Sequence, residues 1–286
     1  MNHLLHPELV QTIPVFGDRA ANALNQRVAE TLASDPAQNP NITVAIRTYD
    51  EGRKLELLLR DIGQQVVGSE VEIILVDNES TDDTAGIAKA YGAQVVTLPR
   101  DEFTYPRSMN LGMQAASHNT VFLTVAHALL SSTHTLHAGA RHFRPGSNVA
   151  GAFSVVLPSP DASRTSRWID AGGALELFRG PQRIRRAGMG VMAATGAIFS
   201  KAAWQELGRF DERYKSGGED TAMARAMLAT GYTIVEEPGM AVHHSHKLGL
   251  LETGRELLHY AKTARGPQPM QPDLLSRRQQ RLNGNK

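Results

Sequence analysis

One pattern of apolar and polar positions recurs along the first half of the chain. The apolar run 73–76, Ile-Ile-Leu-Val, stops at Asp77-Asn78-Glu79-Ser80-Thr81-Asp82-Asp83, and a helical pattern over 84–91 follows at once. A short apolar run bounded by turn residues reads as a buried strand. Residues 42–46 repeat the arrangement, ending in Arg47-Thr48-Tyr49-Asp50-Glu51; Gly52 breaks the run, and Leu55, Leu58, Leu59 and Ile62 then recur at helical spacing. Residues 94–98 form a third strand candidate and 121–124 a fourth, with a short helix over 109–116 between them. Strands alternating with helices imply an α/β fold, a mostly parallel sheet flanked by helices.

The second half is less regular. Residues 149–157 and 193–200 read as strands, the latter a strand or a turn of small residues, and 158–167 as a loop. Residues 168–190 follow no clear period; they hold Trp168 and a basic cluster, Arg179, Arg183, Arg185 and Arg186, between glycines. Residues 201–207 predict a short helix, 221–230 a longer one closed by Gly231, and 232–235 and 241–246 extended pieces. Ahead of the first strand, residues 18–34 carry a helical pattern ended by Pro36 and Pro40. The expected organisation is an N-terminal helical extension over 1–40, one α/β domain over 41–265 and a polar, proline-bearing tail over 266–286 that frays.

Composition narrows the classes. The 286 residues are 41% hydrophobic and 21% charged, enough to bury a core, and the formal net charge of +1 gives no general affinity for polyanions, so no nucleic-acid partner is expected. There is no cysteine, which excludes disulfides and thiolate metal sites. Residues 1–16 lack the basic start and apolar centre of a secretory leader, and the longest apolar-looking run, 121–130, contains Thr124 and His127 and is too short to span a bilayer. The expectation is a cytoplasmic protein whose membrane contact is confined to the inner surface.

Ligands in open α/β sheets bind beyond the carboxyl ends of the strands, which places Asp77 and Asn78 where a ligand lies. Ser80 or Thr81 can cap the next helix, and Asp82 and Asp83 favour its positive end. His127 falls just past the fourth strand. If 242–246 is extended, His244 and His246 share a face and His243 opposes them. Glu219 and Asp220 follow Gly217-Gly218 and sit at or just before the start of a helix, where its dipole favours a carboxylate. Read singly, each is an ordinary turn, cap or strand-end residue; read together they form a candidate site.

Five segments in order across residues 42–246 carry a resemblance: Arg47-Thr48-Tyr49-Asp50-Glu51, Val76 through Thr84, Phe103 through Gly112, Gly217-Gly218-Glu219-Asp220, and His244-Ser245-His246. Together they resemble a family 2 glycosyltransferase with the GT-A fold, of a rhamnosyltransferase-like kind. The resemblance implies transfer of a sugar from a nucleotide-diphosphate donor to the hydroxyl of a saccharide or lipid-linked acceptor, with inversion, in polysaccharide or glycolipid synthesis. By position, Thr48, Tyr49 and Glu51 line the nucleotide pocket, and Asp77 and Asn78 lie against base and ribose. Asp220 is the base and Glu219 orients the acceptor or its loops.

One motif departs from the family. The metal-binding Asp-x-Asp expected at the end of the fourth strand reads Val125-Ala126-His127. A hard cation such as Mg²⁺ seeks oxygen ligands, whereas imidazole suits softer divalent ions. Two arrangements stay open. His127, His244 and His246 hold a divalent metal, Mn²⁺ or Mg²⁺; or these histidines, with Arg107 or the basic cluster at 183–186, neutralise the leaving diphosphate directly. Trp168 and the arginines can cover an acceptor or form a solvated face. Two further readings are a catalytically silent nucleotide-sugar-binding protein, and a nucleotidyltransferase, which would want a Gly-rich phosphate loop that residues 47–52 lack.

Overall fold

The computed structural model describes residues 3–246 and 248–267. The chain runs α1 (Pro7–Gln11), α2 (Gly17–Leu32), β1 (Ile42–Thr48), α3 (Gly52–Gly63), β2 (Val71–Asp77), α4 (Thr84–Ala90), β3 (Gln94–Thr97), α5 (Tyr105–Ala115), β4 (Thr120–Val125) and β5 (Leu129–Leu130). It continues through α6 (Thr135–Ala140), β6 (Val149–Phe153), β7 (Val156–Leu157), α7 (Arg164–Asp170), β8 (Gln182–Arg183), β9 (Ala197–Ser200), α8 (Lys201–Glu206), α9 (Glu219–Ala229), β10 (Thr233–Glu236), β11 (Val242–His243) and α10 (Leu250–Thr263). A 3-10 helix, Ala171–Phe178, follows α7 directly.

The main sheet has the order β3-β2-β1-β4-β9-β6-β10-β8. The first four of these strands are mutually parallel; β9 is antiparallel to both its neighbours. Period-2 alternation sends the two faces of β1 into different cores. Ile42, Val44 and Ile46 meet Leu55, Leu58, Leu59 and Ile62 of α3, while Ala45 meets Met109 and Met113 of α5, with Trp204, Met223 and Met227 in the same cluster. Gly112 lets α5 approach, since a Cβ there would lie 3.0 Å from Ala45 Cβ.

Several expectations shift at their edges. The helix expected over 109–116 begins at Tyr105, because Thr104 caps it, accepting the Arg107 N–H at 3.2 Å, and Pro106 fits its first turn. The strand expected over 149–157 is two strands in different sheets, since the chain turns out of the main sheet after Phe153. Residues 168–190, without a clear period, are the end of α7, the 3-10 helix and the short edge strand β8. The helix expected to start at Thr221 starts at Glu219, so both acids lie in its first turn.

The N-terminal segment is packed, not pendant. Leu4, Val10, Ala20 and Leu24 share a cluster with Val155, Leu157, Ala174 and Leu177. His6 Nε2 lies 2.9 Å from Asp61 Oδ2, and the same oxygen accepts the Leu130 N–H at 3.0 Å. The expected tail from 266 lies, beyond Pro267, outside the described residues. No helix among the described residues is long and apolar enough to cross a membrane.

Candidate active site

Strand register sets the site. Thr48 pairs with Asp77 and Asp77 with Thr97, while Arg47 pairs with Val125, so the carboxyl ends of β1, β2, β3 and β4 finish level. The loops leaving them rim one edge.

The loops after β1 and β2 are bound to each other. Asp77, buried, accepts from Ser80 N–H at 3.1 Å and from Ser80 Oγ at 2.5 Å. Ser80 Oγ in turn accepts the Asp50 N–H at 2.9 Å, and Asp50 Oδ1 accepts the Thr81 N–H at 2.5 Å. Asp50 and Glu79 both take positive φ, 48° and 52°, the cost of two sharp reversals that this network holds. Asp82 accepts the Gly52 N–H at 3.1 Å with one oxygen and the Thr84 N–H at 3.0 Å with the other, tying the first residues of α3 and α4 together; Ser80 and Thr81, expected as caps of α4, bond to Asp77 and Asp50 instead. Asn78 donates its amide to Leu98 O at 2.8 Å. The guanidinium of Arg100 covers the ring of Tyr49 at 3.9 Å, a stacked cation that sequence reading did not single out. Thr48 Oγ1 is buried without a hydrogen-bond partner at the border of this region.

The histidines come together. β5 and β11 pair antiparallel, Leu129 with His243 and Leu130 with Val242. Beyond that pairing the strands stop: Ala126 and His127 form a turn and residues 244–246 run on as a loop, and there the three imidazoles meet. His127 and His244 stack with ring centroids 4.9 Å apart and Nε2 atoms 3.1 Å apart. His246 lies edge-on to both, at 5.9 Å and 4.8 Å. Ligand atoms of all three fall within 4.8 Å of one another. His243 turns the other way, into the core, where its Nδ1 meets Pro158 O at 2.8 Å and burial holds its pKa down near 4. Ser245 donates to Asp170 Oδ2 at 2.6 Å and anchors the segment to α7.

Glu51, expected in the nucleotide pocket, reaches this cluster: its Oε1 lies 2.8 Å from His127 Nδ1, a charge contact whose angle falls short of a hydrogen bond. A carboxylate on the far nitrogen of a ligating imidazole is the usual outer shell of a metal site. Three imidazoles with one such carboxylate suit a borderline divalent ion better than Mg²⁺ or Mn²⁺, which prefer oxygen; of those two, Mn²⁺ accepts nitrogen more readily.

Arg107 is not delivered to the cluster. It ion-pairs with Glu102 and lies 3.6 Å from Glu212. Those two acids, one in the turn before α5 and one in the loop after α8, hold it there. Arg183, Arg185 and Arg186 are exposed, and Arg179 pairs with Glu176 at 3.0 Å.

Glu219 and Asp220 form the other half. Gly218 precedes them at φ 96°, and a Cβ there would lie 2.4 Å from Thr263 O, so only glycine permits this turn against α10. Glu219 is 4% exposed, and its Oε2 has no hydrogen-bond partner. Burial first, and the neighbouring Asp220 charge second, push the Glu219 carboxyl up to about 8. Asp220 is half-buried as a residue but its carboxylate is enclosed, and that desolvation raises its pKa too, against the expectation of simple ionisation from the helix dipole. The Thr221 N–H donates to Asp220 Oδ1 at 2.6 Å and opposes the rise. Arg47, which sequence reading quoted but gave no role, supplies the cation both acids feel. It is held 4.6 Å over the Tyr105 ring, and its backbone carbonyl accepts the Ala126 N–H at 3.2 Å, beside His127. One residue of β1 thus touches both halves. A polar residue at the penultimate position of a strand was the available signal.

A level strand edge, a sealed pair of loops and an acid pair opening a helix are the layout of the GT-A class of glycosyltransferase. The model of Glycosyl transferase family 2 matches residues 43–208, more than half of the chain, and the chain belongs to that family. It is a glycosyltransferase. A curated relative, the O-antigen chain rhamnosyltransferase WbaN of Salmonella anatum, is 27% identical over 215 residues, covering 72% of this chain and 67% of its own. Among solved structures, the mannosyltransferase PcManGT from Pyrobaculum calidifontis, in complex with GDP-Man and Mn²⁺, matches with a TM-score of 0.60 at 20% identity over 93% of this chain and 79% of that one. GalNAc-T7 with UDP, GalNAc and Mn²⁺ matches with a TM-score of 0.58 at 14% identity over 73% and 44%. These likenesses support the fold.

Proposed function

We propose that the protein transfers a deoxyhexose or hexose from a nucleoside diphosphate to a saccharide or lipid-linked hydroxyl, with inversion, in the building of a surface polysaccharide. The rhamnosyl relative favours a deoxyhexose. The observation that carries the reading is the convergence of His127, His244 and His246 at the strand edge where the family's Asp-x-Asp would stand.

The nucleotide lies over the Asp77–Asn78 loop, with Tyr49 and Arg100 beside it. His127, His244 and His246, oriented by Glu51, would hold a divalent cation, which supplies positive charge for the leaving diphosphate. Glu219, its carboxyl pushed up to about 8 by burial, holds a proton at neutral pH. The Thr221 N–H favours the charge on Asp220, so Glu219 keeps the proton and Asp220 takes one from the acceptor hydroxyl. Glu219 then orients the acceptor as a neutral donor.

A second reading follows from burial of the same pair. Were both acids neutral, no base would remain, and the protein would be a silent nucleotide-sugar binder. A thermal-shift panel of UDP, GDP and dTDP, each with and without Mn²⁺ and Mg²⁺, tests the donor and metal halves together. One diphosphate is expected to raise the melting point, more with Mn²⁺ than Mg²⁺. No shift with any nucleotide would end the donor reading; a shift with neither transfer nor donor hydrolysis would favour the silent binder.

A further inference from the structure

The outer side of α10 is apolar and basic, with no acid on it. Its exposed positions include Leu251, Arg255, Leu258 and Lys262, spaced to form one stripe, with Leu251 78% and Leu258 64% exposed. The helix's acids point elsewhere: Glu252 accepts the Gly249 N–H at 3.0 Å, and Glu256 lies 3.5 Å from Tyr260 OH. α7 leans on the start of this helix, since Ser163 Oγ donates to Leu248 O at 2.6 Å. α7 adds Arg164 and Trp168, one turn apart and both exposed, Trp168 by 63%.

We propose that this face docks on an anionic lipid surface. Leucines interleaved with cations, beside an exposed tryptophan, are the composition of a helix that lies in a bilayer interface. A second copy of the chain fits worse, because a two-fold contact lays this face on itself, cationic face on cationic face, with no acid on it to pair Arg255 or Lys262. The whole chain carries only +1, so the cationic stripe is local and orients the molecule. The face also adjoins the candidate active site. Ser166 Oγ of α7 donates to His246 O at 2.6 Å, so a bilayer touching α7 lies next to the histidine cluster. A lipid-linked acceptor would then meet the donor without leaving its membrane. That purpose rests on the proposed function; the docking itself does not.

The test is co-sedimentation of the full chain with phosphatidylcholine vesicles, with and without about one-third phosphatidylglycerol, at low and high salt. Tryptophan emission is a second readout, because Trp204 is buried at 1% exposure and Trp168 is the other tryptophan. The chain should sediment with anionic vesicles, less so at high salt, with blue-shifted emission quenched by brominated lipid. Arg255→Glu with Lys262→Glu should weaken partitioning by roughly tenfold or more, at about tenfold or less per removed cation. Leu251→Ser with Leu258→Ser should do likewise, and Trp168→Phe should abolish the emission change. Equal binding to neutral and anionic vesicles, no binding to either, or a stable dimer that buries Trp168 would overturn the proposal. The nucleotide thermal shift, run on each variant, reports folding and donor binding separately. A chain that keeps that shift but ignores vesicles loses the docking and retains the proposed function; one that binds vesicles but no nucleotide does the reverse.

Discussion

The two halves of the strand edge are built on opposite principles. Around Asp77, Asp50 and Ser80, each carboxylate oxygen that matters has a donor, and two loops lock into a single rigid piece. Around Arg47 and Glu219, buried polar atoms are left without hydrogen bonds, Arg47 Nε and Glu219 Oε2, and His127 Nδ1 meets Glu51 only through a charge contact at 2.8 Å. Orphaned buried groups cost roughly 1–3 kcal/mol each, so they persist where a bound species completes them or where the cost serves function. The first half is a finished cradle that can receive a nucleotide without rearranging. The second is unfinished, and that is where chemistry is expected.

The contrast breaks most visibly at Asp220. Asp220→Asn should lower transfer by about 10²- to 10⁴-fold while leaving the nucleotide-induced rise in melting temperature intact. Full activity in that variant would remove Asp220 from the base role. At the histidines, His244→Ala should abolish Mn²⁺ binding measured by calorimetry, and Glu51→Gln should weaken it by about 10- to 100-fold, the usual worth of an outer-shell carboxylate. Unchanged Mn²⁺ affinity in both would leave the imidazoles as direct partners of the diphosphate.

Glu219 offers a pH test. Its folded-state pKa, about 8, lies above the ordinary value of 4.5, so between those values the folded state holds more protons than the unfolded one. The contribution of this group to stability therefore falls as pH rises from about 4.5 to about 8 and is level outside that window. Glu219→Gln should flatten part of this slope, melting close to the native chain at pH 4 and above it at pH 8.5. A native slope that is already flat would mean that the acid is not desolvated. Gly218→Ala forces a side chain into positive φ and onto Thr263 O, and should cost on the order of 2 kcal/mol in denaturant unfolding. The smallest effect is expected in the finished half: Ser80→Ala removes the hydroxyl that donates to Asp77 and accepts the Asp50 N–H, and should cost about 1 kcal/mol, seen as a lower midpoint with an unchanged m-value.

The periodicity of the first half was enough to read the parallel strands and their order of appearance, because each strand is an apolar run cut off by turn residues. It was enough to pair His244 with His246 and turn His243 away, because strand parity needs no tertiary knowledge. Four things were illegible. The two-residue strands β5 and β11 carry no pattern of their own, yet their pairing is what brings the turn at His127 to residues 244–246. Glu51 sits in a loop whose direction depends on that same closure, so its contact with His127 could not be read locally. The fate of Arg107 was decided by Glu102 and Glu212, the latter about a hundred residues away in sequence. Burial, too, was invisible: the helix dipole alone argued for an ionised Asp220, and enclosure reversed the direction of the shift.

Gly218 and Thr263 meet backbone to backbone, with His259 bonded to Ser216 O at 3.0 Å alongside. A sideways movement of the last helix would therefore bear directly on the turn from which Glu219 and Asp220 project. A molecule resting on a surface through that helix and one tumbling in bulk solvent need not present the same geometry to an incoming hydroxyl, and turnover on water-soluble acceptors is expected to underreport what the enzyme achieves at an interface.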